Sequence, residues 1–407
     1  MDLQIIPKKL SGAVTPPPSK SQAHRLLIAA ALSGGVSVLH GLADSQDIQA
    51  TRRCLSALGA GMEDLPDGGL RVHGLGNSAV QAGPIPILDC GESGSTLRFM
   101  IPIALAVAGG GIFTGRGRLM ERPQGPYFQL FDKKGIFYEQ KDGVLTVRGI
   151  LTPGEYVLPG NVSSQFFTGL LFALPLLDGV SAVVSSTEIE SREYITMTLE
   201  AMRQAGVPVA ERPGLRSFEV LHAAYQPFTA TAEADWSQAG FWYAADFLDS
   251  QVEIRGLDPD SAQGDKVVSE LYWKLARPGD AEIDVSGCPD LLPPLAVMAA
   301  VRPGTTCFTN AARLRMKESD RLSTTAALLA ALGGRAEEGP DFLTVHGGPL
   351  TGGTVDSAND HRIAMAAAIA ATGCTGPVTI RGAECVQKSY PDFWEVYRSL
   401  GGDIHVL

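Results

Sequence analysis

Six times along its 407 residues the sequence passes from a short polar opening into a helix-like stretch that is apolar almost all round. The openings are KSQ (20–22) before HRLLIAAAL, GESG (91–94) before STLRFMIPIALAVAG, and GNVSS (160–164) before QFFTGLLFALPL. The others are DWS (235–237) before QAGFWYAADFL, GCPD (287–290) before LLPPLAVMAAV, and SAND (357–360) before HRIAMAAAIAATG. With Ser21, Gly91, Gly160, Asp235, Gly287 and Ser357 as markers, the spacings are 70, 69, 75, 52 and 70 residues. A helix without a polar face must be buried. A second, more amphipathic helix follows in each unit, at 46–58, 124–134, 192–205, 263–275, 320–332 and 393–400. Five of these run into a glycine (Gly59, Gly135, Gly206, Gly333, Gly401), which closes a helix in the left-handed conformation without a Cβ penalty. Short β-branched runs such as VSVLHGL, GVLTVRGI, QVEIRGL and PVTIRGA lie between. The unit reads strand, apolar helix, strand, amphipathic helix, further strands. The expected fold class is α/β, with buried helices inside a shell of sheets.

Composition narrows the function. Hydrophobic residues make up 45% and charged residues 19%, so the chain builds large cores and is no disordered polyelectrolyte. Its net charge of −11 argues against a nucleic-acid or anionic-membrane partner, either of which needs a basic face. A small anionic substrate in a locally positive cleft stays compatible. The longest apolar runs, 99–108 and 166–177, are shorter than the roughly 18–20 residues that span a bilayer, and the first ten residues lack the apolar region of a secretory signal. The six cysteines form no C-x-x-C and have no His set nearby, so no metal site is expected and reduced cytoplasmic thiols are. The length suits two or three domains, and composition suggests a break near Tyr225-Gln226-Pro227.

Buried helix starts are where chemistry would sit. Their free N–H groups and dipoles attract anions, each contributing about 0.3–1 kcal/mol at an exposed surface and more when shielded. A multiply charged ligand therefore needs several such termini together with cations. Lys20, Arg25, Arg98, Lys317, Arg321 and Arg362 stand beside them.

At these positions the sequence resembles the enolpyruvyl transferases and, among them, the EPSP synthases. PPPSKSQAHRLLIAAAL (16–32) is similar to the family's N-terminal signature, and GESGSTLR (91–98), RLMERP (118–123), NVSSQ (161–165), SREY (191–194), RMKESDRL (315–322), NDHRIAM (359–365) and KSYPD (388–392) follow in the family's order. The resemblance implies an enolpyruvyl transferase-like fold of two domains, each with three βαβαββ units, and an active site in the cleft between them. Residues 1–14 with 231–407 would form the phosphoenolpyruvate side, and 15–230 the shikimate 3-phosphate side. It implies transfer of the enolpyruvyl group of phosphoenolpyruvate to the 5-hydroxyl of shikimate 3-phosphate, with no cofactor, by a cytoplasmic monomer.

By the same resemblance Lys20 touches both substrates and is catalytic with Asp290 and Glu318. Shikimate 3-phosphate would be held by Lys20, Ser21, Arg25, Ser163, Ser164, Gln165, Ser191, Tyr194, Asp290, Arg313 and Lys317. Arg25 suits the carboxylate, because a guanidinium fork matches that group. Phosphoenolpyruvate would be held by Lys20, Gly94, Arg122, Gln165, Arg321, His361, Arg362 and Lys388. The reaction needs a proton to leave the hydroxyl, one to arrive at the methylene carbon, and one to be taken back. Two carboxylates and a lysine can serve these steps if burial and neighbours shift their pKa values toward neutrality. Asp290 is implied as the base on the hydroxyl and Glu318 as the group exchanging protons with carbon. Taken without the resemblance, Ser163 and Ser164 read first as helix caps, and Asp290 as another.

Three positions depart from the family's pattern. Glu92 stands where Asn is usual, placing a negative charge beside an anion site. Arg313 replaces an Asn of some members, and Glu193 a Pro. The nearest rival function is enolpyruvyl transfer to UDP-N-acetylglucosamine, whose enzymes carry a reactive Cys before the RP dipeptide; here that loop, GRGRLMERP, has none. An RNA phosphate cyclase is disfavoured by the acidic balance. A non-catalytic anion binder would have no need of Lys20, Asp290 and Glu318 together.

Overall fold

The computed structural model describes residues 1–76, 84–212 and 216–407. Twelve α-helices run through the described residues. They are α1 (Lys20–Leu32), α2 (Gln46–Ala57), α3 (Gly94–Ala108), α4 (Gly125–Lys134), α5 (Ser164–Ala173), α6 (Arg192–Gln204), α7 (Trp236–Phe247), α8 (Val268–Ala276), α9 (Leu292–Val301), α10 (Arg321–Ala331), α11 (His361–Ala371) and α12 (Phe393–Ser399). The odd-numbered six are the apolar helices of the repeat. Every residue of α11 is buried, and α9 exposes only its last residue in part, as helices lacking a polar face require.

Five of the six repeats lay a four-stranded mixed sheet against the buried helix. Ile87–Asp89 pairs in parallel with Gly110–Thr114 across α3, because both strands enter from the same end with a helix between them. Gly110–Thr114 then pairs antiparallel with Val144–Arg148, which pairs antiparallel with Phe137–Lys141. The same order recurs in four other sheets, those containing Val36–His40, Val180–Ser185, Thr305–Thr309 and Val378–Arg381. The fourth repeat along the chain departs from this pattern. Around α7 only Ser11–Val14 and Gln251–Ile254 pair, in parallel, and the closing hairpin is missing. That deletion accounts for the one short spacing of 52 in the sequence.

The chain divides into two compact units, one continuous (Pro18–Glu233) and one built from two segments (Met1–Pro17 with Ala234–Leu407). Each has its own core, formed by α1, α3 and α5 in the first and by α7, α9 and α11 in the second. Tyr225, where composition suggests a break, belongs to the core of the continuous unit, and its hydroxyl donates to Phe172 O (2.9 Å). In the two-segment unit Leu3–Ile6 lies between Val378–Arg381 and Asp403–Val406, antiparallel to both.

The buried helices are capped by the residues that open them. Ser19, Ser93, Ser163, Asp235 and Asp360 each accept a backbone N–H of the first turn. Helix α9 is entered instead through a 3₁₀ turn at Pro289–Leu291. These caps satisfy one donor per helix and leave further first-turn N–H groups for a ligand.

Candidate active site

In the continuous unit the expected residues gather at the starts of α1, α3, α5 and α6. Lys20 opens α1 and forms an ion pair with Asp47 of α2 (2.9 Å). One turn later Arg25 is 2% exposed. Its Nε donates to Thr198 Oγ1 (2.9 Å), Nη1 to Ser21 O (2.6 Å), and Nη2 to Tyr194 O (2.9 Å) and Thr168 Oγ1 (3.4 Å). The guanidinium also lies over the rings of Phe99 and Tyr194. Every one of these partners is neutral, and no carboxylate among the described residues pairs with it. Burial accordingly pulls the Arg25 pKa down to about 10. A buried, uncompensated cation is a site built for an anion.

Ser163 caps α5 by accepting from Gln165 N (3.3 Å), and the largely buried Ser164 follows as its first residue. The Gln165 side chain is held from both ends, accepting from Arg98 Nη1 (2.8 Å) and donating to Ser95 Oγ (2.9 Å). Ser191 precedes α6 at φ 53, a conformation that costs energy outside glycine and is typical of functional positions. Tyr194 contributes its carbonyl and ring to the seat of Arg25. Gly94 is the first residue of α3, and the guanidinium of the mostly buried Arg122 rests on it: a β-carbon there would lie 2.7 Å from Arg122 Cζ.

In the two-segment unit a second group forms around Asp290. Its carboxylate accepts from Arg321 Nη1 (2.7 Å), Arg362 Nη2 (3.0 Å) and Lys317 Nζ (3.4 Å). Its side chain therefore serves these cations, and the capping alternative does not apply. Arg321, 1% exposed, also donates from Nε to Asp360 Oδ2 (2.9 Å) and from Nη2 to Glu318. Burial works against the charge of Arg321, but Asp360, Glu318 and Asp290 outweigh it and hold its pKa above the ordinary value. Arg362 is raised in the same way, with Asp290 overcoming burial, whereas burial wins at Lys317 and lowers it. Lys388 Nζ donates to Asn359 O (2.7 Å), and His361 is buried beside Asp360. Arg313 Nη2 donates to Ser286 O (2.6 Å). Both arginines thus have one arm on the Asp290 carboxylate, where an incoming carboxylate would have to exchange for it.

Sequence reasoning assigned no role to several groups that this geometry makes central. Asp47 pairs with Lys20 from another helix, and Asp360 both caps α11 and anchors Arg321. Thr198 and Thr168 hold Arg25, and neither was among the expected site residues. Asp265 is wholly buried, and burial together with Asp290 pushes it up to about 7. Only Asp360 carried a local signal, as the Asp of NDHR. Among the described residues no group of His, Cys, Asp and Glu side chains could hold a metal ion. No helix there is long and apolar enough to cross a membrane.

A family model described as EPSP synthase (3-phosphoshikimate 1-carboxyvinyltransferase) matches residues 5–397. The chain belongs to the EPSP synthase family. Its relatives include the 3-phosphoshikimate 1-carboxyvinyltransferases of Clostridium kluyveri, 43% identical, and Clostridium novyi, 42% identical, each alignment covering 99% of this chain and 98% of the relative. Among solved structures it is similar to the EPSP synthase of Acinetobacter baumannii, with TM-score 0.79 at 24% identity over 100% of both chains. It is also similar to the enolpyruvyl transferase NikO of Streptomyces tendae, with TM-score 0.77 at 18% identity over 99% of this chain and 98% of that one. These two likenesses establish the α/β enolpyruvyl transferase fold that the resemblance implied.

Proposed function

We infer a division of labour among these residues for the reaction of this EPSP synthase family member, transfer of the enolpyruvyl group of phosphoenolpyruvate to shikimate 3-phosphate. Arg25 takes the shikimate carboxylate with Ser21 and Tyr194, while Ser163, Ser164 and Ser191 take its phosphate and Gln165 lies against its ring. Arg313 and Lys317 add contacts from the other unit. Arg122 and Lys388 bind the phosphate of phosphoenolpyruvate over Gly94, and Arg321 and Arg362 its carboxylate, supported by His361. The observation that carries this reading is the buried guanidinium of Arg25, which has only neutral partners.

Chemistry then follows in two stages. Asp290 accepts the proton of the 5-hydroxyl as its oxygen bonds to the central carbon of phosphoenolpyruvate, and Glu318 gives a proton to the methylene carbon. The tetrahedral intermediate next loses phosphate, which leaves with the proton held by Asp290, as Glu318 takes a proton back from the methyl group. Lys20, held by Asp47, stabilises charge on both substrates. An arriving carboxylate displaces Asp290 from Arg321 and Arg362, and a carboxylate stripped of its cations becomes a stronger base. The substrates must meet, so the proposal has both units close on one pair of ligands, excluding water and strengthening each charge contact.

The proposal takes the chain to act as a monomer in the cytoplasm, a reducing compartment that suits its six free thiols. Inorganic-phosphate release from phosphoenolpyruvate, with shikimate 3-phosphate and UDP-N-acetylglucosamine compared as acceptors, tests the acceptor. Release with the first alone is expected. Release with the second alone would overturn the reading.

A further inference from the structure

We propose that Glu92 is a positioning residue for phosphoenolpyruvate: its carboxylate seats the loop 115–118 and so holds Arg122 over the start of α3. The inference rests on Arg122 being a ligand of that substrate, as read above. By sequence Glu92 is a misfit, an acid two residues before Gly94 at a helix start that should welcome an anion. The structure turns it aside. A β-carbon on Gly117 would lie 2.7 Å from Glu92 Oε2, 2.9 Å from Cδ and 3.5 Å from Cγ, so the carboxylate rests against that glycine's backbone. Gly117 has φ +57, a conformation that glycine adopts freely.

The same loop is fastened at a second point. Arg116 N donates to Gly91 O (2.7 Å), and a β-carbon at Gly115 would lie 3.2 Å from Gly91 O and 2.7 Å from Leu119 Cδ2. From there one 3₁₀ turn, Leu119–Glu121, leads to Arg122, whose N–H donates to Leu119 O (3.2 Å). The Arg122 guanidinium then reaches back onto Gly94. Segments 91–94 and 115–122 therefore clasp each other, with Glu92 at one end and Arg122 at the other.

This arrangement reverses the sign that simple electrostatics gives. If Glu92 acted only through its charge, removing it would tighten binding of an anion nearby. If it seats the loop, removing it lets Arg122 wander and weakens binding. The test is steady-state kinetics of Glu92→Ala and Glu92→Gln with each substrate varied, together with amide hydrogen exchange of residues 115–122 in the unliganded protein. Glu92→Ala should raise KM for phosphoenolpyruvate about tenfold, the effect of misplacing one charge-assisted contact, and leave KM for shikimate 3-phosphate within about twofold. Exchange at 115–122 should quicken. Glu92→Gln, which keeps the length and an oxygen acceptor, should rescue both readouts.

A fall or no change in KM for phosphoenolpyruvate with Glu92→Ala, an equal rise in both variants, or unchanged loop exchange would overturn the proposal. Should Glu92→Ala fail to fold, Gly117→Ala displaces the carboxylate with Glu92 intact and should reproduce the KM rise; a wild-type KM there would overturn the proposal too. Arg122→Ala separates the two readings. If it leaves KM for phosphoenolpyruvate unmoved, the substrate assignment fails, while loop exchange still decides whether Glu92 seats the loop.

Discussion

Replacing Arg25 by lysine should make shikimate 3-phosphate affinity fall with rising pH in a range where the parent protein's contact is constant. Burial lowers the guanidinium from its ordinary value to about 10, which leaves it charged at any ordinary pH. The same burial acting on an amine, whose ordinary pKa lies lower than that of a guanidinium, would bring its titration down to a pH at which binding can still be measured. Below that pH the variant keeps its charge but loses the fork, costing about 1.5–3 kcal/mol, roughly ten- to hundredfold in affinity. Above that pH the amine is increasingly neutral and affinity falls further. Isothermal titration of shikimate 3-phosphate at pH 6.5 and 9 reads this as the ratio of variant to parent dissociation constants, which cancels the ligand's own titration. A ratio of one, or one that does not change with pH, would refute the reasoning. Alanine is the poorer probe, because it removes four hydrogen bonds of the interior together with the charge.

Three further outcomes can be checked. Gly94→Ala puts a methyl group where the Arg122 guanidinium lies; a flexible side chain can swing away, so the melting temperature should hardly move while KM for phosphoenolpyruvate rises about tenfold or more, and an unchanged KM would contradict the geometry. Asp265 has its pKa raised to about 7, so between about pH 4 and 7 the folded chain keeps a proton that the unfolded chain has released, and stability falls as pH rises through that window. Asp265→Asn removes this dependence, and its melting temperature relative to the parent should climb from pH 5 to pH 8; a constant difference would count against it. Glu318→Gln should still bind both substrates by equilibrium titration while phosphate release drops on the order of 10²–10⁴-fold, and near-parental turnover would remove Glu318 from the proton transfers.

The helix pattern was open to reading because burial leaves a mark on composition. A helix surrounded by protein, such as α9 or α11, carries Ala, Met and larger aliphatic residues on every side, with no polar stripe. The missing hairpin of the fourth repeat was visible only as an unexplained short interval. Charge partners were harder to find. Nothing local ties Asp47 to Lys20 or Thr198 to Arg25, since both contacts join different helices. Glu92 shows the limit best: its identity in the sequence suggested repulsion, and only the turn of its side chain onto Gly117 shows another use.

The strand Leu3–Ile6 has a temporal consequence. Both of its neighbours, Val378–Arg381 and Asp403–Val406, are synthesised at the far end of the chain. At about 5–20 residues per second, the ribosome makes this strand wait on the order of tens of seconds for its partners. The continuous unit, Pro18–Glu233, can mature in the meantime, so it acts as the early folder while an unpaired edge trails from its amino end. In cells short of chaperones that edge is where aggregation would begin.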